Sequence, residues 1–185
     1  AGVSSILKLY GDSSQAVRIT IPTGQNFINS TTNPVGLEIN GIHFSGGAGA
    51  INFHNQTACV NRQTLISGCL FTRQTVCAIG HISQDWPSFR IERCRFRCAD
   101  TATAVLLSGL SADGGVFFCD FQGFKYGIKL ATAVLASATD KGPTTPINIW
   151  GNSFFRYDVS ANNRYDIWIV PNAETSQNAG RSILF

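Results

Sequence analysis

Three carboxylates, Glu38, Glu92 and Asp120, fall on strand-like segments of the chain, and a fixed spacing between two carboxylates is what glycoside cleavage requires. One protonates the leaving oxygen and the other acts as base or nucleophile, at about 5 Å for retention and about 6.5–9.5 Å for inversion. Stacked strands supply such intervals, because neighbouring strands lie about 4.8 Å apart and two residues along a strand span about 6.8 Å. Glu38 and Glu92, outward near the same bend on the first and third repeats, would then stand roughly 12 Å apart at the backbone, a gap that side chains could shorten. Arg93 and Arg95 are close to Glu92 in sequence and favour its ionised form, which suits a base or nucleophile. Asp120 lies directly above Arg95 in the next repeat, so an ion pair is expected there, able to orient an acid or simply to decorate the surface. Solvated surface carboxylates remain the simpler explanation for all three.

Aromatic residues offer a different chemistry. Phe117 and Trp150 share one outward column, and Trp168 projects from a later strand; exposed rings of this kind stack on the C–H faces of sugars. The same columns would equally serve a neighbouring subunit in a parallel trimer. Trp86 and Asp85, in the loop SQDWPS, and Asp113 either form the lip of a groove or make ordinary turns. Arg95 joins Phe117, Trp150, Trp168 and Trp86 as a candidate substrate contact, whereas His43, at the head of the Arg95 and Asp120 column, reads as a surface histidine.

Composition narrows the function classes. The 185 residues carry a net charge of +3, with basic residues scattered among acids except at Arg90, Arg93, Arg95 and Arg97, so a nucleic-acid partner is not expected. No uninterrupted apolar run approaches the roughly 18 residues of a spanning helix, so neither is membrane insertion. Six cysteines are too sparse for a disulfide scaffold, and no histidine pair completes a zinc pattern, so no metal or other cofactor is expected. Methionine is absent, position 1 included, which fits either removal of an initiator residue before Ala1 or, as is expected here, a segment of a longer polypeptide.

A repeat positions these residues. LEINGIHF (37–44), TLISGCLF (64–71), FRIERCRF (89–96), GGVFFCDF (114–121) and INIWGNSF (147–154) align on Phe44, Phe71, Phe96, Phe121 and Phe154, at intervals of 27, 25, 25 and 33 residues. Periods of this size indicate a stacked solenoid. Five residues before each anchor stand Ile39, Ile66, Ile91, Val116 and Ile149; two before it stand Ile42, Cys69, Cys94, Cys119 and Asn152. Gly41, Gly68 and Gly151 mark a sharp bend between two short strands in three copies. A second element, AINF, AIGH, AVLL, GIKL and DIWI, alternates so that Ile51, Ile79, Val105, Ile128 and Ile167 point inward and Asn52, Gly80, Leu106, Lys129 and Trp168 outward. Only LATAVLASA (130–138) has helical character, as a short helix or loop excursion. Stacked cysteines have poor torsion for bridging and are expected as buried, reduced thiols. The pattern predicts an all-β, right-handed parallel β-helix of about five to six coils over residues 19–170, with 1–18 and 171–185 as caps or connectors. An antiparallel sandwich or jelly roll also has many short strands, but does not require one residue class at one phase of every period.

The phrase I-x-I-x-G-N-x-F, present as INIWGNSF and approximated by LEINGIHF, together with YGIKL half a coil later, is similar to pectate-lyase-like β-helix proteins. Within that group, ITIPTGQNF (19–27) resembles the strand and P-x-G turn that begins the helix in bacteriophage tailspikes and tail fibres. The likeness spans residues 19–170 and rests on structural motifs, which specify fold better than chemistry. Two departures stand out: cysteines 69, 94 and 119 occupy the column where the family often carries an asparagine ladder, and the aligned aspartates of a calcium-dependent lyase are missing. The resemblance implies a homotrimer in the tail of a virion, assembled in the host cytoplasm beside other virion tail proteins and adsorbing to a bacterial surface polysaccharide, O-antigen or capsule. Such a module would be a depolymerase (glycoside hydrolase or lyase), a non-catalytic glycan-binding unit, or a structural shaft.

Overall fold

In the computed structural model, residues 6–13, 16–30, 36–55, 63–83, 88–109, 113–131, 147–155, 164–169 and 183–184 are described. Strands recur in threes. The first layer holds β1 (Ile6–Tyr10), β2 (Arg18–Ile21) and β3 (Asn26–Ser30), followed by β4 (Gly36–Asn40), β5 (His43–Gly46) and β6 (Gly49–Asn55). Next come β7 (Gln63–Ser67), β8 (Leu70–Thr72) and β9 (Cys77–Ser83), then β10 (Ser88–Glu92), β11 (Arg95–Arg97) and β12 (Thr103–Gly109). The last layers are β13 (Asp113–Phe117), β14 (Asp120–Gln122) and β15 (Tyr126–Ala131), then β16 (Ile147–Trp150), β17 (Ser153–Phe155) and β18 (Tyr165–Ile169), with β19 (Ile183–Leu184) beyond.

Every third strand pairs in parallel, giving three sheets ordered β1-β4-β7-β10-β13-β16-β19, β2-β5-β8-β11-β14-β17 and β3-β6-β9-β12-β15-β18. This is an all-β parallel solenoid of about four coils flanked on both sides in all three sheets, β4–β6 through β13–β15, between the end layers β1–β3 and β16–β18. The five or six coils expected from the period thus reduce to about four enclosed ones. Every strand pair among the described residues is parallel, which removes the sandwich. The first sheet runs past residues 19–170 at both ends, since β1 pairs with β4 and β19 with β16. Residues 132–138 of the expected helical excursion lie outside the described residues.

The core is a set of like-on-like columns. Ile39, Ile66, Ile91, Val116 and Ile149 are in register and buried. Phe44, Phe71, Phe96, Phe121 and Phe154 stack face to face with centroids 5.4, 4.9, 4.8 and 4.8 Å apart, close to the strand spacing that forces them together. In the third sheet Ile51, Ile79, Val105, Ile128 and Ile167 form the expected column. Strict alternation fails one residue earlier, where Ala50, Ala78 and Ala104 are also fully buried. Two consecutive inward residues turn the chain at that corner, and only small side chains fit its inner side.

The first bend is a left-handed column. Gly41, Gly68, Arg93, Phe118 and Gly151 have φ of 68, 59, 52, 52 and 68°. Their backbone N–H groups continue the ladder through the corner: Gly41 donates to Ser67 O at 3.1 Å, Gly68 to Glu92 O at 3.1 Å, Arg93 to Phe117 O at 3.0 Å and Phe118 to Trp150 O at 3.1 Å. Just beyond it, the thiols of Cys69, Cys94 and Cys119 donate to the carbonyls of Ser67, Glu92 and Phe117 at 3.2, 3.3 and 3.3 Å. Across the coil boundary the same thiols face the carbonyls of Ile39, Ile66 and Ile91 at 4.0, 3.6 and 3.8 Å, and Asn152 makes that inter-coil bond more strongly, donating to Val116 O at 2.8 Å and accepting from Cys119 N at 2.9 Å. The cysteines therefore act as weak-donor versions of an asparagine ladder.

One buried polar atom is out of place. Thr64 lies between Leu37 and Phe89 in an inward column, beside a small apolar void also lined by Ile51, Ile66, Ile79, Ile91 and Leu107. Its Oγ1 has no hydrogen-bond partner among the described residues. Thr64→Val replaces that hydroxyl with a methyl group of similar shape and should raise stability by about 1 kcal/mol, read as a higher urea midpoint at unchanged slope. A lower midpoint would show that the hydroxyl is bonded in solution.

Candidate functional site

Strand register decides which surface residues can act together. In the first sheet one outward column runs Lys8, Glu38, Leu65, Arg90, Gly115, and the next runs Tyr10, Asn40, Ser67, Glu92, Phe117, Trp150. Glu38 and Glu92 thus differ by two strands and two residues, about 12 Å at the backbone. Each side chain has a cation of its own. The Lys8 ammonium lies 2.9 Å from Glu38 Oε2, and the Tyr10 hydroxyl and Lys8 hold the Glu38 carboxyl below its usual range while both partners are pushed up. Both contacts favour the ionised form of Glu38.

Glu92 is bound along its own strand. Arg90 Nε donates to Glu92 Oε2 at 2.6 Å, so its cation is Arg90, not the Arg93 and Arg95 expected from sequence proximity. Arg93 occupies the left-handed bend and Arg95 belongs to the second sheet, which turns both away from the first. Arg90 also stacks its guanidinium 5.0 Å from the Phe117 ring centroid. That ring folds back over Gly115, where an added Cβ would come within 2.6 Å of Phe117 Cζ. Phe117 is consequently half covered from within the chain.

Asp120 lies on the second sheet, in register with Arg95 on one side and Ser153 on the other. Its carboxylate accepts from Ser153 Oγ at 3.0 Å and from Gln122 Nε2 at 3.1 Å. The expected Arg95 pair does not form among the described residues; two short neutral donors reach the carboxylate instead. Arg18, not His43, heads this column; His43 follows it, its Nε2 2.8 Å from Thr72 Oγ1, and burial reinforced by Arg18 holds its imidazole below the usual range. Glu38, Glu92 and Asp120 are thus three separately partnered carboxylates on two sheets.

The aromatics make two clusters. At the first bend Trp150 is 61% exposed and Phe118 47%, with ring centroids 5.1 Å apart, edge to face. On the third sheet Tyr126 and Tyr165 stack at 5.9 Å with planes 8° apart, and Trp168 lies 4.1 Å from Tyr165 and 5.9 Å from Tyr126. The ammonium groups of Lys125 and Lys129 stand 5.3 and 5.0 Å from the Tyr126 centroid. Sequence reasoning found Trp150 and Trp168 but passed over Phe118, Tyr126 and Tyr165. The signal for the tyrosines was present in the matched phrases YGIKL and YDIWI. Trp86 and Asp85 lie outside the described residues.

Among the described residues no group of three or more His, Cys, Asp or Glu is placed to hold a metal ion, and no helix is long and apolar enough to cross a membrane. The described cysteines are free thiols; burial, with the neighbouring thiols of Cys119 and Cys69, pushes Cys94 far up, and burial pushes Cys77 up to about 12. Thiols pushed up in this way are poor nucleophiles and ligands, whereas the hydrogen bond with Cys94 draws Cys69 below its usual range. In comparisons with known proteins no family model, no curated protein and no solved structure matches the chain.

Proposed function

We propose that this chain is a glycan-binding module of a bacteriophage tailspike or tail fibre, a right-handed β-helix that joins two copies of itself in a parallel homotrimer. In this reading it sits in the virion tail beside other tail proteins and contacts a bacterial surface polysaccharide, O-antigen or capsule, during adsorption. The observation that carries the binding role is the Trp150 and Phe118 pair, two large rings held edge to face in solvent on adjacent coils. A pyranose offers an apolar C–H face to such a ring, and the rigid strand and bend beneath it reduce the entropy lost on binding. Binding without cleavage is preferred to a depolymerase because Glu38, Glu92 and Asp120 each hold separate partners.

The test is titration of the chain with a panel of purified O-antigen and capsular polysaccharides, followed by tryptophan fluorescence and by reducing-end release. One or more should bind without release, and Trp150→Ala should weaken that binding by about 2 kcal/mol, roughly 30-fold in Kd. Equal affinity of the variant, or no binding across the panel, removes the reading; release of reducing ends would restore the enzyme.

A further inference from the structure

We infer that Tyr126, Tyr165, Trp168, Lys125 and Lys129 form a subsite for a negatively charged sugar, a uronate or similar carboxylate-bearing unit of a polysaccharide. The inference deepens the glycan-binding reading and rests on it for the polymer, but uses a different face of the solenoid. The parallel register that stacks Tyr126 on Tyr165 and sets Lys129 beside Trp168 builds the cluster from two adjacent coils, with Lys125 immediately before β15. At this corner Gly127 and Ile128 both face inward, which leaves Tyr126 and Lys129 on the outer side.

Charge separates this cluster from the others. Lys8, Arg90 and Arg164 are matched by Glu38, Glu92 and Asp100 at 2.9, 2.6 and 3.1 Å. Among the described residues no carboxylate closes an ion pair on Lys125 or Lys129; both ammonium groups instead stand within 5.3 Å of one phenol ring. Cation–π contact orients a lysine without neutralising it. Two positive charges are therefore held beside a platform of three half-buried rings. A neutral sugar would use the rings and leave the ammonium groups idle. A phosphate or sulfate ion would use the ammonium groups and leave the rings idle. A pyranose bearing a carboxylate uses both, stacking its C–H face while the carboxylate accepts charge-assisted hydrogen bonds.

The experiment compares oligogalacturonate with a neutral malto-oligosaccharide of equal length, by calorimetry on the full chain at low and at physiological salt. The acidic oligomer should bind at least about tenfold more tightly, a preference that shrinks as salt rises. The double variant Lys125→Gln and Lys129→Gln should erase the preference while leaving neutral binding and thermal stability unchanged, and Trp168→Ala should weaken the acidic oligomer even with both lysines present. Equal binding of the two oligomers, a preference that survives loss of both lysines, or displacement by polyphosphate regardless of Trp168 would each overturn the subsite. The outcome is separable from the Trp150 test, because Trp150→Ala leaves this charge preference intact. Panel binding lost with Trp150 but indifferent to the lysines would sink only the subsite.

Discussion

Phe96→Ala, in the middle of the phenylalanine stack, is expected to destabilise the protein by about 3–5 kcal/mol. Phe96 is fully buried, with Phe71 and Phe121 at 4.9 and 4.8 Å and both neighbouring planes within 7° of its own. The gap left by truncation cannot close, because β8 and β14 are hydrogen-bonded to β11 and the strand spacing fixes how near the flanking rings can come. Phe154→Ala, at the end of the stack where the ring is only partly buried, should cost clearly less. Denaturant unfolding of both variants checks the order, and an equal loss would mean that the rings are not held on a fixed lattice. The central variant should also broaden the transition, since each coil is stabilised by its neighbours and Phe96 joins the two halves.

The second large effect is a contrast between two glycines of the same column. Gly41→Ala and Gly68→Ala both place a methyl group on left-handed backbone, at φ of 68 and 59°, which costs an L-residue about 1–2 kcal/mol. A Cβ on Gly68 meets nothing closer than 3.8 Å, whereas one on Gly41 comes within 2.5 Å of the Gly11 carbonyl oxygen. That oxygen belongs to backbone already tied in place, Gly11 N–H donating to Asn40 O at 2.8 Å. Gly68→Ala should therefore cost about 1 kcal/mol and Gly41→Ala about 3 kcal/mol or more, the excess being overpacking. Equal unfolding midpoints for the two variants would refute the argument. Arg93 and Phe118 show in the native sequence that side chains are tolerated in this conformation where space is open.

The solenoid was legible because its columns obey one physical rule: parallel register puts position n of each coil above position n of the last. Phe44 to Phe154, Ile39 to Ile149 and the cysteines 69, 94 and 119 could thus be aligned from period alone. Arg93 and Phe118 were not legible as bend residues, since glycine is the usual mark of left-handed backbone and neither is glycine. Alternation likewise hid the buried Ala50, Ala78 and Ala104, which turn a corner that a flat strand does not have. The carboxylates show a different limit. Register gave the separation of Glu38 and Glu92, but not the choice of Lys8, Tyr10 and Arg90 as partners, because long side chains select among several charges within reach. Asp120 shows it most clearly, with Arg95 directly opposite and the carboxylate turned to Ser153 and Gln122.

Strand-on-strand growth in one direction makes length an independent variable of this molecule. A tandem duplication of residues 64–88, one period of the Phe71 to Phe96 interval, would insert a layer whose two faces already match their new neighbours. The Lys8–Glu38 end and the Trp150 end would move apart by about 4.8 Å, with the local surroundings of each unaltered. Evolution can therefore tune the reach between two contact surfaces in whole-layer increments, as one sets a spacer, without redesigning either surface.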